Sequence, residues 1–215
     1  VSDFAIDQAK LVLSFMLYKN QKVQESLDFL KADFFARMIE YQESATQKKR
    51  DWLDLGAGYG LVKARHYRIV YIACQTLQAP AKIRYCEEES QVAFQWLQET
   101  LYYRIKDASL FKLKSSNHFV LLIQHKLEHP EDLLLAAANE LQSKLPIQLL
   151  FGIGNLYDSI NQVAKSFIEA KTAYDEMRLS GKQIINHYQP RGMRNLFEKI
   201  STTDIHYFCE SILHE

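Results

Sequence analysis

The stretch "FKLKSSNHFVLLI", Phe111 to Ile123, decides the fold. On either side of "SSN" lie short runs rich in Phe, Leu, Val and Ile, the composition of strands that pack on a sheet. The polar residues between them have side chains that bond local backbone and so favour turns. The stretch therefore predicts a β-hairpin, and the segments around it say what kind of sheet the hairpin joins.

Upstream, "ARHYRIVYIAC" (64–74) alternates and reads as a strand. "CEEESQVAFQWLQETLYYRIK" (86–106) follows it as a helix with acidic residues at its positive end. Downstream, "HPEDLLLAAANELQSKLP" (129–146) reads as a helix with Pro130 in the favoured first turn, closing before Pro146. "IQLLFGIGN" (147–155) is a strand and "SINQVAKSFIEAKTAYDEMRLSG" (159–181) a helix stopped by Gly181, while "KQIINHY" (182–188) is a last strand. "MRNLFEKIS" and "TTDIHYFCESILHE" read as two further short helices. The order β α β β α β, then α β, is the α+β ferredoxin-like arrangement, with helices expected on one face of the sheet.

From Ser2 to Tyr41 there is neither Gly nor Pro, and apolar residues recur at helical spacing. Alternating steps of three and four pick out Ile6, Ala9, Leu13, Met16, Asn20, Val23, Leu27, Leu30 and Phe34, then Arg37 and Tyr41. A heptad seam with one Asn at an a-type position sets register in paired helices, so this is a candidate dimer seam. A second apolar set, Phe4, Leu11, Val12 and Phe15, fits a helix packing on its own domain. The reading divides the chain into a helical segment (1–60), a sheet domain (61–190) and a C-terminal helical linker (191–215).

Composition excludes several classes. Lys+Arg and Asp+Glu balance at 26 each, which gives no general attraction for nucleic acid or an anionic membrane. Cys74, Cys86 and Cys209 are odd in number and widely spaced, which predicts reduced thiols and a cytoplasmic location. No apolar run reaches the ~20 residues of a membrane span. The chain starts at Val1 and stops within a helical pattern, so it is expected to be part of something longer.

The layout resembles the nucleotide cyclases named for their G-G-D-E-F turn. Ser115 and Ser116 fall at the two glycines, Asn117 at the aspartate, His118 at the glutamate and Phe119 at the phenylalanine. "FGIGN" and "AKTAYDEMRLSGKQIINHY" are similar to that family's later strand and helix. More specifically, the chain resembles PucR/CdaR-like (purine catabolism regulator) transcription factors, whose middle region is a degenerate GGDEF-like domain. The carrying residues are "SLDFLKADFFARMIE", "WLDLG", "LLFGIG" and "VAKSFIEAKTAYDEM", with Ser166, Phe167, Glu169, Ala170 and Ala173 at the signature positions of the last. The resemblance implies a homodimer, an unknown small-molecule effector, and DNA contact only through a helix-turn-helix absent from this chain.

Cyclase chemistry needs carboxylates on a divalent metal and backbone that approaches phosphate. Both turn glycines are Ser, Asn117 and His118 are not acids, and the end of the first strand offers only Ile72, Ala73, Cys74 and Gln75. The expectation is no catalytic, cofactor-binding or metal-ligating residue and a domain that is not an enzyme. Phe119 is read as packing and His118 as a surface histidine.

Two alternatives remain. "DLGAGYG", Asp54 to Gly60, is similar to the cofactor loop of S-adenosylmethionine-dependent methyltransferases, but "TQKKRDW" before it is too charged for a buried parallel strand. The blander reading is a helix stop at Gly56 leading into the sheet. The other alternative is a non-catalytic nucleotide-sensing domain. His125 and His129 bracket a strand end and Pro130 rather than one helix face, which argues against a zinc pair. Lys165, Glu169 and Lys171 are expected on a solvated helix face, with Phe167, Ala170 and Tyr174 toward the sheet. Trp52 and Trp96 are expected as core or interface anchors.

Overall fold

The computed structural model describes residues 3–43, 51–77, 83–113, 117–180 and 183–190. Its five strands are β1 (Arg68–Thr76), β2 (Ala108–Lys112), β3 (His118–Ile123), β4 (Ile147–Ile153) and β5 (Ile185–His187). The helices are α1 (Asp3–Glu43), α2 (Trp52–Gly56), α3 (Ile83–Arg104), α4 (Pro130–Lys144) and α5 (Val163–Ser180). The strands form one sheet in the order β2-β3-β1-β4-β5, antiparallel except for the parallel β4–β5 pair. The fold is α+β, a five-stranded sheet with flanking helices preceded by a long N-terminal helix. The two short helices expected at 193–215 lie outside the described residues.

Helices cover both faces of the sheet, not one as the sequence pattern suggested. The strands supply the reason, because β1 and β3 are apolar on both sides. Ile69, Tyr71 and Ala73 point one way with Phe111, Val120 and Leu122, and are covered by Ala170, Tyr174 and Met177 of α5 and Phe35, Met38 and Ile39 of α1. Val70, Ile72 and Cys74 point the other way with Phe119, Leu121 and Ile123, under Phe94 and Leu97 of α3 and Leu134 and Leu141 of α4. A strand buried on both faces needs a layer on each.

Helix ends follow local chemistry. Pro130 opens α4 with Glu131 and Asp132 in its first turn, and Lys144 closes it, each placed to suit the helix dipole. The Asp51 carboxylate caps α2 by accepting from the Leu53 and Asp54 amides. Helix α3 begins earlier than expected, at Ile83, so its glutamates fall beyond its first turn.

Helix α1 has two regimes. Its last turns pack on the sheet, where Phe35 stacks on Phe111 with ring centroids 4.9 Å apart and meets Phe167 edge-on at 5.8 Å. Gln42 clamps the start of the α5 region, its Nε2 donating to the Ile160 carbonyl (3.0 Å) and its Oε1 accepting from the Ala164 amide (3.0 Å). Residues 5–23 by contrast are exposed throughout. Of the set Phe4, Leu11, Val12 and Phe15 assigned to cis packing, the last three face solvent, and the Phe4 side chain lies outside what is described. At ~1.5 Å per residue the helix is about 60 Å long, and much of its N-terminal half lies beyond the reach of its own sheet.

Candidate functional site

The β2–β3 turn is the place to look for chemistry. Of its five residues, Asn117, His118 and Phe119 are described and Ser115 and Ser116 lie outside the described residues. The Cys74 amide donates to the Asn117 carbonyl (2.9 Å), and His118 pairs with Ala73 across the β1–β3 ladder. The turn thus rests against the end of β1.

The two side chains after Asn117 point to opposite faces, as strand geometry requires. Phe119 is fully buried, 5.2 Å from the Phe94 ring, which confirms its packing role. His118 is not the surface histidine that was expected. It lies half-buried between Tyr71 (5.5 Å) and Tyr174 (5.9 Å), with no partner for its Nδ1. Burial pushes its pKa below the ordinary histidine value, Asp175 opposing the shift and Lys171 and Arg178 adding to it. Tyr71 beside it is pushed up to about 12, again mainly by burial. A neutral imidazole among phenol rings is a packing arrangement. Around it Ala73 and Cys74 are buried and Gln75 is exposed, and none of the three is an acid. Among the described residues no group of three or more His, Cys, Asp or Glu side chains is placed to hold a metal ion.

The "DLGAGYG" segment folds as the helix α2 and a 3-10 turn (Ala57–Tyr59), not as a strand feeding a cofactor loop. The α-helix stops at Gly56, as expected, and Gly60, whose φ of 90° suits glycine, closes the 3-10 turn that follows. Gln124 and Ser109 hold this turn to the sheet. Gln124 accepts from the Val62 amide (2.8 Å) and donates to the Gly60 carbonyl (2.7 Å), while the Ser109 hydroxyl donates to the same carbonyl (2.8 Å). A Cβ on Gly56 would stand 2.3 Å from Leu61, so that glycine serves close packing. Tied to the sheet by these hydrogen bonds, the turn is structural.

The segment after β4 corrects another expectation. Glu169 is buried rather than solvated, accepting from the Tyr157 hydroxyl (2.6 Å) and the Asn155 amide (3.0 Å). Burial and this carboxylate together raise the Tyr157 pKa. Ser166, fully buried, accepts from the Ile69 amide (2.9 Å) and donates to the Asn155 carbonyl (2.9 Å). Ser166 and Glu169 therefore stitch the loop after β4 to α5 and β1. Ala170 and Tyr174 face the sheet as predicted, and Phe167 packs beside Phe35 and Tyr71.

Of the seam residues, Ile6, Leu13, Met16, Val23, Leu27 and Leu30 are all exposed, as is Asn20. Phe34 is the exception. It lies against Tyr59 (4.8 Å) and Trp52 (6.0 Å) within its own chain. Trp52 is buried, and Trp96 is partly buried between α3 and α4. His129 and His187 each lie 3.6 Å from the Glu131 carboxylate, and His125 does not join them. His187 could not be paired with Glu131 from the sequence, since only the β4–β5 ladder brings them together. No helix among the described residues is long and apolar enough to cross a membrane.

The sheet order, the turn against the end of β1 and the helices on both faces define a domain of the nucleotide-cyclase type. The family model described as the GGDEF-like domain matches residues 43–175, and the chain belongs to that family. Solved structures similar to it include a microbial GGDEF domain studied with bis-(3′,5′)-cyclic di-GMP, at 15% identity and a TM-score of 0.46, covering 64% of this chain and 86% of that one. The active GGEEF domain of a diguanylate cyclase from Vibrio cholerae is 8% identical (TM-score 0.41), covering 59% of this chain and 85% of that one. The coiled coil and GGDEF domain of DgcB from Caulobacter crescentus is 7% identical (TM-score 0.44), covering 83% of this chain and 98% of that one. No curated protein matches the sequence.

Proposed function

We propose that this chain is a non-catalytic regulatory and dimerisation region of a PucR/CdaR-like transcriptional regulator. The observation that carries the reading is the N-terminal part of α1, which holds in solvent an apolar seam from Ile6 to Leu30, interrupted at Asn20, while its C-terminal turns are fixed to the sheet. Apolar side chains at a heptad repeat are stabilised by burial against a second helix, at about 1.5–3 kcal/mol for each large side chain fully covered. A pair of α1 helices would join two cyclase-like domains and, through segments outside this chain, two DNA-binding heads whose spacing follows the protein two-fold axis. Two features of the turn support the absence of turnover. His118 falls at the glutamate of the turn that this one resembles, and neither it nor its β1 partner Ala73 is a carboxylate.

The test is mass in solution. The parent is expected to be a dimer at micromolar concentration, and the double variant Leu13→Asp with Leu27→Asp a folded monomer, because both residues are exposed in the single chain. A parent that stays monomeric at high micromolar concentration removes the basis of the reading. Formation of a cyclic dinucleotide from GTP with Mg²⁺ or Mn²⁺ would overturn its non-catalytic half.

A further inference from the structure

Where α1 leaves the domain, it forms a cavity of about 360 Å³ with the end of β2, a volume suited to a small ligand. Asp28 lines it and is 95% buried, since 5% of it is exposed. The Gln24 amide donates to its Oδ1 (2.9 Å), but its Oδ2 is buried with no hydrogen-bond partner. A buried carboxylate oxygen without a donor is costly, and a cation beside it relieves that cost.

The other carboxylates on the cavity wall are already paired. Glu25 is paired with Lys22 at 2.7 Å and Asp33 with Arg37 at 2.8 Å. Lys112, also on the cavity wall, bonds Gln91 and lies 4.7 Å from the centre of the Phe94 ring, and makes no ion pair with Asp28. Burial lowers the Lys112 pKa, and the Asp28 and Glu25 carboxylates act in the opposite direction. Asp28 and Lys112 are thus the charges of the set with no ion-pair partner in contact, and Asp28 Oδ2 lacks even a neutral donor. Phe29 and Leu113 make the wall apolar, and Phe29 is 72% exposed, with its ring available to cover a ligand.

We propose that this cavity binds a small organic ligand through a primary ammonium group, which donates to Asp28 Oδ2 while its apolar body lies against Phe29 and Leu113. An ammonium near an aromatic ring and a desolvated carboxylate gains from both. If the ligand also carries a carboxylate, as a free amino acid does, Lys112 is the cation on the same wall that receives it. The site lies beside the β2–β3 turn and on the helix that leads out of the domain, and it does not depend on whether α1 pairs.

Isothermal titration calorimetry tests the proposal on the full chain with four probes: phenethylamine, phenylalanine, butylamine, and phenylpropionate as the isostere lacking an ammonium group. At least one ammonium compound is expected to bind while phenylpropionate does not. Asp28→Asn, with unchanged circular dichroism, should weaken that binding tenfold or more. Phe29→Ala, at an exposed position that does not support the fold, should weaken the aromatic probes severalfold and serves if Asp28→Asn fails to fold. Phenylalanine binding tighter than phenethylamine, with the advantage lost in Lys112→Gln, identifies a zwitterion; the reverse order identifies a simple amine, and both uphold the ammonium site. No binding of any ammonium compound at millimolar concentration, or equal binding by Asp28→Asn, overturns it.

Discussion

Gly152, one residue before the end of β4, makes a demanding test of how α5 is seated. A Cβ built at this residue would lie 2.1 Å from the Ala170 carbonyl oxygen, 2.6 Å from the Tyr174 amide nitrogen and 2.8 Å from the Tyr174 Cβ. Carbon and oxygen approach ordinarily to about 3.3–3.6 Å even in favourable C–H···O contacts, so Gly152→Ala requires α5 to retreat by more than about 1 Å. The obstacle is helix backbone, which has no rotamer to change. A gap of that size forfeits a quarter to a half of the dispersion energy of the contacts it opens, here those of Ala170, Ala173, Tyr174 and Met177 with the sheet. Overpacking costs about 1–3 kcal/mol where side chains can give way, so the expected loss is about 3 kcal/mol or more. Followed by circular dichroism in urea, with a slope of about 2–3 kcal/mol/M, that loss lowers the midpoint by about 1–1.5 M. Gly58→Ala is the control, because nothing lies within 4 Å of its Cβ; the substitution should be neutral or stabilise by about 0.4–1 kcal/mol. If Gly152→Ala unfolds at the midpoint of Gly58→Ala, the close seating of α5 on β4 is wrong.

Ser166→Ala leaves the buried Ile69 amide without its acceptor and should cost about 1–3 kcal/mol, read as a lower urea midpoint; a loss under about 0.5 kcal/mol would refute the stitching role. His118 has a folded pKa below its unfolded value of 6.5, so its contribution to stability is complete above that pH and is lost as pH falls through 6.5 toward the folded pKa. Unfolding free energies of the parent between pH 7 and 5 should therefore fall more steeply than those of His118→Phe, and parallel curves would deny the burial of this imidazole.

Much of the sheet was legible because strands and helices announce themselves by period and composition. "RIVYIAC", "HFVLLI" and "IQLLFGI" carry enough β-branched and aromatic residues to be read locally, and Pro130 marks the start of α4 by a backbone property of its own. The lack of acids at Asn117 and His118 was equally plain. What misled was environment. Glu169 and Lys171 share a charged stretch, yet α5 turns Glu169 inward to receive the Tyr157 hydroxyl and Asn155 amide. "DLGAGYG" carried a glycine spacing used by more than one fold, and the bonds from Gln124 and Ser109 that define it here come from strands far away in sequence.

The sequence by itself determined the element order, the apolar seam on α1 and the side-chain chemistry available at the turn, since these depend on spacing and residue type along one segment. Only the tertiary structure decided that both faces of the sheet are covered, that Phe34 belongs to Trp52 and Tyr59 while Leu27 and Leu30 stay in solvent, and that Asp28 is buried with one oxygen unmatched. The reason is that burial and hydrogen-bond partners are properties of pairs brought together by folding. A helix of 41 residues carries its pattern in its own sequence, but which of its faces finds the domain depends on where the sheet stops beneath it.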